Sequence, residues 1–179
     1  MRVIFLDIDG VLNTESFITH FWEYCRLNDM KRPEAKKEFN ELIRDEYGNL
    51  FDPMAVNWLK YVIEQTGVTD IVISSSWRAS GLQFMQDLWK HRGLCGNVID
   101  ITPYKAKNRL PKDLPFAERF ERGYEIKEWI DSHDVESYVI FDDDNDMLPE
   151  QLPYFVQTNS VFGITSDNAI QAVNILTLL

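Results

Sequence analysis

Short hydrophobic runs punctuate this chain at intervals. They are Val3 to Leu6, Ile71 to Ile73, NVIDITP at 97–103, SYVIF at 137–141 and YFVQT at 154–158. The run at 71–73 is β-branched and has no polar alternation, the mark of a strand covered on both faces. Between these runs the hydrophobic period changes from that of a strand to that of a helix. In FDPMAVNWLKYVIEQTG, residues Ala55, Val56, Leu59, Val62 and Ile63 fall on one helical face. Asp52 is placed to cap that helix, Pro53 suits its first turn, and Gly67 suits its end.

The other intervals read the same way. A helix is predicted from about Gly81 to His91. GYEIKEWIDSH predicts another, with Ile126, Trp129 and Ile130 inward. SDNAIQAVNILTLL predicts a closing helix with Ala169, Ile170, Val173, Leu176 and Leu179 toward the core. Residues 103–121 hold three prolines and many charges and read as loop. Residues 14–50 break the alternation. They carry ESFITHFWEYCRL and PEAKKEFNELIRDEY, end at Gly48-Asn49, and read as a small helical insertion after the first strand. Strands alternating with helices predict an α/β chain with a mainly parallel sheet. No internal repeat and no low-complexity segment interrupts it.

Composition narrows the picture. The 179 residues, 45% hydrophobic and 26% charged, suit one domain over 1–179 with the 14–50 insertion inside it. A net charge of −11 argues against a generally basic nucleic-acid surface, though a local groove stays open. No apolar run approaches the roughly 20 residues that cross a bilayer. The first strand is too short to serve as a signal peptide. Cys25 and Cys95 have no metal or redox spacing and read as free thiols in a reducing, cytoplasmic setting.

The candidate chemistry lies where strands end. In parallel α/β sheets, ligands bind beyond the carboxyl ends of the strands. Asp7 and Asp9 follow the first strand, Ser74 the second, and DDDND from Asp142 the fourth. Arg122 starts the helix that leads into that fourth strand. Side chains two apart on an extended chain point the same way, so Asp7 and Asp9 are expected to face one ligand. Converging carboxylates are costly unless something neutralises them. A hard cation such as Mg²⁺ does so, and Ser74 and Arg122 would then serve phosphoryl oxygens. DDDND also has acids at alternate positions, as a calcium loop does, but Met147 and Pro153 stand where that loop needs Gly and Glu.

The order of these features resembles the haloacid dehalogenase (HAD) superfamily of phosphohydrolases. FLDIDGVL is similar to its first motif, D-x-D-x-[TV], with Val11 in the last place. IVISS is similar to the second, Arg122 stands where the family has Lys or Arg, and YVIFDDDND is similar to the acidic fourth. SSSWR and RGYEI further resemble the HAD domains of Swiss army knife RNA repair proteins. The resemblance spans residue 3 to about 170. It implies a Rossmann-like three-layer sandwich and a Mg²⁺-dependent phosphatase. Asp7 would be the nucleophile that forms an aspartyl phosphate, and Asp9 the general acid and base. The Asp7 carboxylate and the Asp9 carbonyl would hold Mg²⁺, with Asp142 or Asp143 completing the site. Ser74 and Arg122 would orient the phosphoryl group.

Several positions carry two readings. Asp142 with Asp146 fits one form of the fourth motif and Asp142 with Asp143 another. Lys127 is an alternative to Arg122, but it lies a turn and a half into the helix. Gly10, Ser75 and Arg78 are supporting candidates, and Arg78 could meet a second phosphate or a local carboxylate. Trp77 reads as a core or capping residue. His20, His91 and His133 have no metal spacing, and Phe17, Phe21, Trp22 and Tyr24 repeat at helical spacing, as packing of the insertion would. The competing functions are a receiver-like phosphoacceptor and a HAD-like binding module without turnover. A small insertion leaves room for a phosphorylated metabolite or a nucleic-acid end, with no membrane or protein partner inferable.

Overall fold

The structure is a computed structural model that describes residues 1–28, 43–103 and 121–177. Five parallel strands form its sheet: β1 (Arg2–Leu6), β4 (Asp70–Ile73), β5 (Asn97–Ile101), β6 (Ser137–Asp142) and β7 (Phe155–Gln157). Their order is β5-β4-β1-β6-β7. From β1 the chain builds outward through β4 and β5, then returns to build β6 and β7 on the other side. That reversal opens a crevice beside the end of β1, where a parallel α/β sheet receives its ligand.

The uninterrupted hydrophobic runs follow from the two-sided covering. Ile4, Leu6, Ile71, Ile73, Val139 and Phe141 share one buried cluster with residues of α2 (Pro53–Thr66), α3 (Leu82–His91) and α5 (Ser166–Thr177). Val3, Phe5, Val72 and Ile140 point the other way, onto Ile126 and Trp129 of α4 (Glu121–Asp131). Phe5 meets the Trp129 ring edge-on, with centroids 5.4 Å apart. The result is the three-layer, Rossmann-like α/β architecture expected of the sequence. A short 3₁₀ turn, Ser76–Ser80, follows β4, and another, Pro149–Tyr154, precedes β7.

The signals read for α2 are those it uses. The Asp52 carboxylate accepts from the Met54 N–H at 2.8 Å, and Gly67 closes the helix at φ 68°. The insertion opens with α1 (Glu15–Leu27), capped by Thr14. Thr14 Oγ1 also donates to Asp52 Oδ2 at 2.7 Å, and the Asp52 N–H donates to the Leu12 carbonyl at 2.7 Å. The outgoing and returning stems of the insertion are thus tied at one buried point.

Some expectations need correction. The helix expected over 33–47 falls largely on residues 29–42, outside the described residues. Its end is not helical: Arg44–Asp45 (β2) and Gly48–Asn49 (β3) pair as a small antiparallel ribbon. Asp45 causes the turn by accepting the Tyr47 N–H on its side chain at 2.8 Å. Ile170 is 52% exposed, and Ala172 takes the buried position, so Ala169, Ala172 and Leu176 form the inward stripe of α5. Trp22 and Tyr24 of α1 are partly exposed, and the Tyr24 ring meets Phe21 with centroids 6.0 Å apart. The expected loop lies mostly within 104–120, and Leu179 within 178–179, both outside the described residues. No helix among the described residues is long and apolar enough to cross a membrane.

Candidate active site

The site grows from the ends of β1 and β6. Asp7 extends β1 by one backbone hydrogen bond, its N–H donating to the Phe141 carbonyl at 2.9 Å. Its side chain is only 8% exposed. Asp142 ends β6 and is buried, and its carbonyl accepts from the Thr158 N–H at 2.9 Å. Asp143 comes next and lies over Gly10. A Cβ at Gly10 would stand 2.3 Å from Asp143 Cγ, and Gly10 has φ +73°, so the tight turn and the close approach both require glycine here.

Asp7, Asp142 and Asp143 each bring one carboxylate oxygen to within 4.8 Å of the others. Arg122 enters this group from the start of α4. Its Nε lies 3.1 Å from Asp142 Oδ2, and one terminal nitrogen lies 3.7 Å from Asp7 Oδ1. Three carboxylates facing one guanidinium leave an excess of negative charge. Burial raises the Asp7 pKa from 3.8 to about 6, against the opposing pull of Arg122, the Ser75 hydroxyl and the Ile8 N–H. Burial, then repulsion from Asp7, pushes Asp142 well above the usual carboxylate range. Burial and Asp144 raise Asp143. Burial works against the Arg122 charge, but Asp142, Asp7, Glu125 and Asp146 outweigh it and raise its pKa. Asp142 Oδ2 is buried, and its neighbour is the Arg122 guanidinium, with which it forms an ion pair. An all-oxygen donor set of three carboxylates with surplus negative charge fits a hard divalent cation.

The remaining candidates occupy distinct places. Asp9 is exposed and outside the carboxylate group, because β1 ends at Leu6 and the chain is already turning. Asp9 therefore stands on the exposed side of the turn, close enough to Asp143 to act on its charge. Asn13 Nδ2 donates to one Asp9 oxygen at 2.9 Å and Trp77 Nε1 to the other at 3.0 Å. Trp77 thus packs on Phe51 and also holds a site acid. Ser74 is buried, with its Oγ 3.5 Å from Thr102 Oγ1. Of the adjacent serines, Ser75 is near enough to Asp7 to lower its pKa, while its hydroxyl oxygen accepts the Trp77 N–H at 3.4 Å.

Lys127 is not in the site: it pairs with Asp131 at 2.9 Å on the exposed face of α4. Asp146 does not join the metal-type cluster either. Its carboxylate accepts the Arg122 N–H at 3.0 Å and its carbonyl the Gly123 N–H at 3.1 Å, capping α4 where Arg122 emerges. Arg78 meets a carboxylate, donating to Glu125 Oε2 at 2.5 Å. The same Glu125 oxygen lies 3.7 Å from Arg122.

Two supporting residues escaped the sequence reading. Glu125 is three residues after Arg122 on α4, a helical neighbour that only the confirmed helix makes visible. Gln151 donates to the Gly123 carbonyl at 2.8 Å and accepts from the Leu148 N–H at 2.9 Å, fixing the start of α4 from the side. No local signal marks Gln151 in the sequence.

A family model described as the HAD domain in Swiss Army Knife RNA repair proteins matches residues 3–169. No curated protein and no solved structure matches the chain. With the parallel sheet and the acids at its carboxyl edge, that match over nearly the whole length decides the family: the chain belongs to these HAD domains.

Proposed function

We propose that this HAD domain hydrolyses phosphomonoesters through an aspartyl phosphate on Asp7, with a nucleotide or nucleic-acid end phosphate as substrate. The observation that carries the reading is the convergence of Asp7, Asp142 and Asp143 around Arg122 at the ends of β1 and β6. Asp7, Asp142 and Asp143 would hold Mg²⁺, which when bound offsets their charge and polarises the phosphoryl group.

An Asp7 oxygen attacks phosphorus, and the ester P–O bond breaks. Asp9 gives its proton to the departing oxygen. Asp9 then takes a proton from water as that water attacks the phosphorus. The bond between phosphorus and the Asp7 oxygen breaks, phosphate leaves, and Asp7 is restored. Arg122 faces the charge that builds on the phosphoryl oxygens. Asn13 and Trp77 fix the orientation of the Asp9 carboxylate. The RNA repair association of the family supports a nucleotide-type substrate.

The test is a phosphate-release screen over sugar phosphates, nucleotides and 3′- and 5′-phosphorylated oligonucleotides, with and without Mg²⁺. Asp7→Asn is expected to abolish release while the circular dichroism spectrum is unchanged. Full activity in that variant would rule out the aspartyl-phosphate route. A long-lived phosphorylated Asp7 without turnover would identify a phosphoacceptor instead.

A further inference from the structure

On the far side of Trp77 from Asp9 lies a second concavity. It has a volume of about 310 Å³ and is formed where the β2–β3 ribbon meets the Ser76–Ser80 turn and α3. Tyr47, Trp77 and Phe84 give it aromatic walls, and Arg44, Asn49 and Ser76 give it polar ones. Its size is at the small end of the range for ligand pockets, about 300–1,000 Å³. The Trp77 indole belongs to both places, since its Nε1 holds Asp9 at 3.0 Å while its ring lines the pocket. Whatever bears the leaving oxygen protonated by Asp9 is therefore one indole width from this pocket.

The walls are set before any ligand arrives. Arg92 grips Asp45 through two hydrogen bonds of 2.8 Å, which fixes the ribbon to α3. Tyr47 leans on Phe84 with ring centroids 5.3 Å apart, and Gly48, at φ +115°, turns the ribbon beside the Trp77 ring. Arg44 is exposed and has no ion-pair or hydrogen-bond partner among the described residues. In a chain of net charge −11, an exposed guanidinium beside aromatic walls, with no carboxylate partner among the described residues, suits a ligand that is flat and anionic.

We infer that this pocket is the subsite for the leaving group and that it takes a nucleobase, stacked against Tyr47 and Trp77, with Arg44 reaching the next phosphate of a strand end. Asn49 and Ser76 offer hydrogen bonds to the base edge. The inference rests on the phosphomonoesterase reading for its placement, but the pocket can be tested apart from it.

The experiment compares glycerol 3-phosphate, a nucleoside monophosphate and an end-phosphorylated dinucleotide on the wild-type chain, on Arg44→Ala and on Tyr47→Leu. Tyr47→Leu is expected to raise KM roughly tenfold for both nucleotide substrates with kcat unchanged, and to leave glycerol 3-phosphate unaffected. Arg44→Ala is expected to raise KM roughly tenfold for the dinucleotide alone. An equal rise for both nucleotides would place the Arg44 cation on the base and make a free mononucleotide the source. Calorimetric titration with the unphosphorylated nucleoside gives a second readout, which Tyr47→Leu should weaken. If no substrate is hydrolysed but this binding is seen and is weakened, the phosphatase reading fails and the subsite stands. If phosphate is released from all three substrates with the same kcat/KM and neither variant changes it, the subsite is overturned and the phosphatase stands. Arg44 is exposed on the ribbon, so its variant keeps the test usable if Tyr47→Leu does not fold.

Discussion

Asp7→Asn should make the metal-free protein more stable. The usual expectation for a buried, interacting side chain is the reverse. Here the folded state raises the Asp7 pKa from 3.8 to about 6, so the folded chain holds this proton more tightly than the unfolded chain does. Between those values stability falls as pH rises, because ionising Asp7 is harder in the folded site. At 1.36 kcal/mol per tenfold change in proton affinity, the cost is about 3 kcal/mol at pH 7.5 and under about 1 kcal/mol at pH 4. Asn keeps the shape without the charge. In EDTA at pH 7.5, it should raise Tm by about 6–12 °C for a chain of this size, and the gain should shrink toward zero by pH 4. Mg²⁺ at 100 times its Kd should stabilise the wild type by about 2.7 kcal/mol and the variant by far less. Calorimetric melting over a pH series, with and without Mg²⁺, reads all of this. A metal-free variant no more stable than wild type at pH 7.5 would refute the charge-excess account of the site. So would a gain that persists undiminished at pH 4.

Three further outcomes follow from the same geometry. Mg²⁺ affinity, measured by titration calorimetry, should rise as pH increases through about 6, because binding must displace the Asp7 proton. Gly10→Ala should lose stability by about 1–2 kcal/mol from the positive φ and weaken Mg²⁺ binding at least tenfold, because the new methyl displaces Asp143; unchanged Mg²⁺ affinity would remove Asp143 from the metal set. Asp52→Ala should cost about 2–4 kcal/mol in denaturant unfolding, through a lost helix cap and a buried Thr14 hydroxyl left without its acceptor, with kcat unchanged.

The parts that were legible in the sequence are those in which one residue type can satisfy only one environment. A β-branched run such as Ile71–Ile73 has to be covered on both sides, and Asp52-Pro53 at one end with Gly67 at the other has few alternatives to bounding a helix. The acids after β1 and β6 were legible because two acidic groups end buried strands at the same carboxyl edge of a parallel sheet, where ligands bind. The less legible parts depend on phase and orientation. Whether Arg122 or Lys127 enters the site is decided by where α4 starts, and Asp146 sets that start from another segment. Ile170 and Ala172 differ by two positions on α5, and the close packing of α5 prefers the smaller residue inside. The setting of Asp9 was hidden because β1 ends at Leu6, and its carboxylate is placed by Asn13 and Trp77, which lie elsewhere in the chain. The ribbon at 44–49 was hidden because the Asp45 turn cancels a helical pattern that otherwise runs through it. Glu125 and Gln151 act only through partners brought near by the fold.

The tie between Thr14 and Asp52 has a consequence for how this chain can be altered. The insertion leaves and rejoins the sheet through two stems held 2.7 Å apart, so its ends stay together whatever lies between them. For a loop closed in this way, changing its length costs only a slowly growing entropy, about 0.6 kcal/mol per doubling. The segment between the stems is therefore a natural graft point. Its length and content can be exchanged between versions of this scaffold while Asp7, Asp142, Asp143 and Arg122 stay in place at the ends of β1 and β6 and the start of α4.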